Sequence, residues 1–161
     1  MNLTLVVAVA GTILTSTAFS QEKTLVGKWK YASVTMATMV IDLENYESGK
    51  NSIADQVKKE KGRQFDSASM TMIYNSMADV FRTATLEFTA DGHTIFKTIH
   101  GDGDTTIQSD LYTADYLTQT LTITHSMDTK EKQSRISFGF EGPYLVLNVP
   151  EKETVFKLRV L

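Results

Sequence analysis

The sequence predicts a mainly β domain: an eight-stranded, up-and-down antiparallel barrel with a two-helix insertion between strands 1 and 2. Three observations lead there. From Thr85 to Val160, apolar and polar residues alternate in short runs, the period of strands with one buried face. Tight turns built from Gly, Asp and Pro separate those runs. One further alternating run surrounds Trp29, and about forty residues of helical period divide it from the others. Eight sequential strands with short connections close most simply into a barrel, which leaves no exposed edges; a two-sheet sandwich is the other solution.

The chain has 161 residues, and residues 1–20 read as a targeting segment. Leu3 to Leu14 is a nearly uncharged apolar run, long enough for a signal-peptide core and too short to cross a bilayer. Ala18 and Ser20 set small side chains three and one residues before Gln21, the spacing that signal peptidase requires. A first strand or a retained helix is the competing assignment. Cleavage near Ser20-Gln21 and export, periplasmic or secreted, are therefore expected, leaving one domain over 21–161. The chain has no cysteine, so disulfides and a lipid-modified cysteine are excluded and no stable membrane anchor is expected. A net charge of −3 without a basic cluster argues against a nucleic-acid partner.

The first strand runs from about Thr24 to Val34, with Trp29 and Tyr31 on one face and Lys28 and Lys30 on the other. The helical insertion covers about 41–82. Leu43, Tyr46, Ile53 and Val57 suit a first helix, with a break at Ser48-Gly49 and an end at Gly62. Met70, Ile73, Tyr74, Met77, Val80 and Phe81 follow helical spacing more closely, and Asp66 or Ser67 caps that second helix. The remaining strands are Thr85–Thr89, His93–His100, Thr105–Thr113, Gln119–Ser126, Ser134–Phe140, Tyr144–Val149 and Thr154–Val160. Ala90-Asp91-Gly92 turns the first hairpin, and Met127 to Lys132 forms a longer turn.

Leu25-Val26-Gly27-Lys28-Trp29-Lys30-Tyr31 resembles the Gly-x-Trp opening of lipocalin-like domains. Leu86 to Gly92, and Leu111-Tyr112-Thr113 followed by Leu121 to Thr124, are similar to phrases of secreted bacterial lipocalin-like proteins. The resemblance implies a calycin-type barrel closed at one end by Gly27 and Trp29, with Arg159 stacked on the indole. It also implies a binding protein. The insertion departs from the usual pattern, in which the first strand loops directly to the second, and it is placed to cap the open mouth.

An eight-stranded barrel can hold one small ligand or be filled by its own side chains. Alternation points Tyr31, Phe88, Ile123 and Phe138 inward, and Met70 and Met77 lie on the insertion. These six are the candidate contacts for a small hydrophobic molecule held under a helical lid. The alternative is a protein-interaction or envelope-structural module with a filled barrel. His93, His100 and His125 read as solvated strand ends without metal-site spacing. Asp102-Gly103-Asp104 lacks the ligands of a calcium loop. No catalytic motif stands out, so no catalytic residue, metal or cofactor is expected.

Overall fold

The computed structural model describes residues 24–61, 66–127 and 130–161; the expected leader and the helix end at Gly62 lie outside them. The order is β1 (Gly27–Met36), β2 (Met39–Asp42), α1 (Tyr46–Lys61), α2 (Ser67–Arg82), β3 (Thr85–Phe88), β4 (His93–Ile99) and β5 (Thr105–Asp115). Then come β6 (Thr120–Met127), β7 (Lys130–Glu141), β8 (Tyr144–Val149) and β9 (Thr154–Val160). β1 and β3 to β9 pair in sequence, and β9 returns to β1, so eight antiparallel strands close into a barrel rather than a sandwich.

Two boundaries differ from expectation. β3 pairs only with Gly27–Lys30 of β1, and the vacated edge is taken by an extra strand, β2, with Val34 opposite Ile41 and Met36 opposite Met39. The helices therefore sit between β2 and β3. The β1–β2 turn uses Ala37 at a φ of 51° where glycine would be usual. The β6–β7 hairpin also continues to Met127 opposite Lys130, so Lys130 to Lys132 belong to a strand and not to a turn.

Inward-facing residues form two cores. Leu25, Trp29, Phe88, Leu121, Ile136, Phe138, Leu145, Leu147 and Leu158 fill the closed end. Val34, Ile41, Ile53, Met70, Tyr74 and Ala78 form a second core between the helices and the inner face of β1 and β2. The helices thus cover the mouth on the β1–β2–β9 side. Tyr31 and Phe156 border both cores, and Tyr31 meets the rings of Phe81 and Phe156 at 5.4 and 5.7 Å.

α2 begins as expected: Asp66 is the N-cap and its carboxylate accepts from the Ser69 N–H at 2.8 Å. Its buried stripe runs through Met70, Tyr74 and Ala78, whereas Val80 faces solvent. α1 continues through Ser48-Gly49 without the expected break, because Gly49 is a packing contact. A Cβ there would lie 2.5 Å from Tyr74 Cε2 and 2.8 Å from the Asp42 nitrogen. In an exposed helix, Gly→Ala stabilises by about 1 kcal/mol. Gly49→Ala is instead expected to cost about 1–3 kcal/mol through overpacking. A urea midpoint at or above that of the unchanged protein would contradict this.

Candidate functional site

Side chains directly opposite each other on antiparallel strands share a face, so the register fixes what lines the barrel. Phe88 pairs with Thr94, and Thr94 with Asp110. Because Phe88 is in the core, Asp110 also faces inward, as does Gln108 two residues before it. On β6, Leu121 and Ile123 face inward, and so does His125 at the next position of the same parity. On β7, Ser134 lies opposite Ile123.

These side chains join. His125 Nδ1 lies 3.0 Å from Asp110 Oδ2, and His125 Nε2 lies 3.3 Å from Ser134 Oγ. Gln108 Nε2 donates to the same Asp110 oxygen at 2.8 Å. An ionised carboxylate only accepts hydrogen bonds, so Nδ1 carries the neutral ring's proton and the Nε2 lone pair faces the Ser134 hydroxyl. The His125 and Asp110 side chains are 25% and 12% exposed, whereas inward-facing Thr106 and Gln108 are exposed. Solvent therefore reaches the inner wall along β5.

Of the three histidines read as strand ends, His100 is exposed, bonded to Thr106 Oγ1 at 2.8 Å, and His93 opens β4. His125 is different: its parity carries it inside. Composition offers no hint of this, but the alternation Leu121, Ile123, His125 does, as does Ser134 two residues before Ile136.

Among the six expected ligand contacts, Phe88 and Phe138 are 1% and 4% exposed and belong to the packed closed end. Phe88 packs on Tyr112, and Phe138 on Tyr116 and Phe140. Ile123 stands beside the polar cluster, opposite Ser134. Met70, 4% exposed, is packed in the second core, and the partly buried Tyr31 and Met77 border it at the junction with the helices.

Closure at the base departs from expectation. Trp29 is 6% exposed and donates from Nε1 to the Leu25 carbonyl at 2.9 Å. Gly27, at a φ of 145°, admits the turn that brings Leu25 beneath the indole. The Tyr116 hydroxyl accepts from the Leu25 N–H at 3.1 Å. Arg159 takes no part: it pairs opposite Lys30 on the outer face and binds Glu44 at 3.1 Å. Leu158 is fully buried, and its neighbour on a regular strand must point the other way.

Burial pushes the Tyr31 phenol up from 10.0 to about 12. The folded protein thus holds a proton that the unfolded chain has lost between those values. Stability from this group is complete below pH 10 and falls as pH rises toward 12, by roughly 2–3 kcal/mol. Tyr31→Phe should lack that component of alkaline destabilisation. Equal falls for the two proteins in urea titrations from pH 9.5 to 11.5 would contradict this.

Comparison with known proteins gives the fold. No family model matches the sequence, and no curated protein matches it. Among solved structures, a lipocalin-like protein from Bacteroides uniformis superposes with a TM-score of 0.50 at 12% identity, covering 85% of this chain and 98% of that one. A duf4847 family protein from Bacteroides vulgatus superposes with a TM-score of 0.51 at 12% identity, covering 84% and 92%. The domain shares the barrel fold of these lipocalin-like structures.

Proposed function

Starting from that barrel, we propose that the protein is an exported carrier holding one small, largely apolar molecule in the mouth beneath the helices. The observation that carries this is the gradient along the inner wall. Packed aromatic and aliphatic residues form the base, and a polar patch of Gln108, Asp110, His125 and Ser134 sits where solvent enters. Small-molecule sites combine mainly apolar lining with a few placed polar groups in this way. Tyr31, Ile123 and Met77 border the apolar part, and the methionine can adapt to varied shapes. The apolar Leu3–Leu14 run and the small-residue exit before Gln21 support export.

The test is titration of the purified protein with N-phenyl-1-naphthylamine, alongside native mass spectrometry of protein from its own host. One saturable site per chain is expected, weakened at least about tenfold, or 1.4 kcal/mol, by Ile123→Trp, which fills the mouth. Absence of saturable binding together with no carried molecule would favour a filled barrel that acts through its outer surface.

A further inference from the structure

We propose that Ser134 is a nucleophile and that the barrel hydrolyses small carboxylic esters whose acyl group lies against its apolar wall. The proposal rests on the same pocket as the carrier reading and assigns chemistry to it. Three features of the inner wall support it. First, the two ring nitrogens of His125 are used in the order that activates a hydroxyl: Nδ1 to Asp110 at 3.0 Å, Nε2 to Ser134 at 3.3 Å. Second, the arrangement is built into the sheet. Asp110 and His125 lie opposite on β5 and β6, one step beyond the Leu111–Thr124 pair, and Ser134 is diagonal to His125 on β7. Three adjacent strands hold three groups in place without a mobile loop. Third, Gln108 donates to Asp110 Oδ2 at 2.8 Å, which fixes the carboxylate that orients the imidazole. A hydroxyl, a base and a group orienting that base, within hydrogen-bonding reach, form the general pattern of an activated nucleophile.

Ser134 Oγ attacks the ester carbonyl while its proton passes to His125 Nε2, and Asp110 stabilises the imidazolium. The carbon–oxygen bond to the alcohol breaks and His125 returns the proton to the departing oxygen. Water, activated by the same imidazole, then releases the carboxylic acid and restores Ser134. Lys132, placed opposite His125 on the same inner face, is assigned to meet the oxyanion. Ile123 lies opposite Ser134, and Ile136 follows it on the same face. These neighbours suit an aliphatic acyl chain, and the solvent-reached β5 side suits the leaving alcohol.

The experiment exposes the full protein to an alkyl fluorophosphonate and, separately, to p-nitrophenyl butyrate. Expected are a single phosphonyl adduct on Ser134 by peptide mapping and turnover above the buffer rate. Ser134→Ala and His125→Ala should each lower kcat/KM about 100-fold or more. The double variant should be no slower than either single one, since the pair acts as a unit. Asp110→Asn, a change at a positioning residue, should lower kcat while leaving KM within about twofold. Ser137→Ala, on the outer face of the same strand, should change neither. No adduct on Ser134 in the unchanged protein, or hydrolysis unaffected by Ser134→Ala, overturns the proposal. If N-phenyl-1-naphthylamine still binds saturably in that case, the carrier reading survives; if it does not, both readings fall.

Discussion

Trp29→Ala is expected to lower stability by about 3–5 kcal/mol, a large part of the 5–15 kcal/mol typical of a domain. Three contributions combine. The indole is 6% exposed, so its truncation leaves a cavity in the packed base. Its Nε1–H is the donor to the Leu25 carbonyl, and a buried acceptor left without its partner loses roughly a further 1 kcal/mol. Leu25, fully buried beneath it, then loses the surface that holds the segment across the barrel end. Because Trp29 is the only tryptophan, the variant's urea curve must be followed by circular dichroism. A loss under 1 kcal/mol would mean that the base is not closed by this residue. Arg159→Ala, by contrast, removes an exposed ion pair with Glu44 and should cost no more than about 1 kcal/mol.

Tyr74→Ala is expected to cost about 3–5 kcal/mol, concentrated in the helices. Tyr74 is 1% exposed, donates its hydroxyl to the Asp42 carbonyl, and meets the Tyr46 ring edge-on at 4.9 Å. It also fills the space that Gly49 leaves in α1. One side chain of α2 therefore ties both helices to the end of β2. Hydrogen exchange should accelerate across α1 and α2 while β6, β7 and β8, which lie outside this contact, stay protected. Uniform acceleration through the barrel would show that the helices are integral to its closure. Tyr74→Phe keeps the ring and should cost about 1 kcal/mol.

The barrel was legible because its signal is repeated. Seven strands after α2 each alternate, and turns such as Ala90-Asp91-Gly92 carry glycine where the backbone needs positive φ. β2 escaped because neither cue is present: it is four residues long, and its turn places Ala37, not glycine, in the left-handed region. Gly49 misled for the opposite reason. Glycine commonly breaks helices, but here it allows Tyr74 to approach, which is a tertiary fact invisible to local patterns. Stacking of Arg159 on Trp29 is an expectation of the resemblance alone, and the inward parity of Leu158 contradicts it. The polar cluster was partly readable. Extending the inward parity of Leu121 and Ile123 by one step reaches His125, and stepping back from Ile136 reaches Ser134. What the sequence could not supply was the register that sets Asp110 opposite His125, because register depends on hairpin lengths.

The hydrogen-bonded chain from Asp110 through His125 to Ser134 is most directly tested by long-range 1H–15N correlation of the three histidine rings at neutral pH. The structure predicts that neutral His125 carries its proton on Nδ1 and that Asp110→Asn alters this signal, whereas His100→Ala leaves it in place. A His125 ring protonated on Nε2, with nitrogen shifts unchanged by Asp110→Asn, would contradict the Asp110–His125 hydrogen bond on which the esterase reading depends.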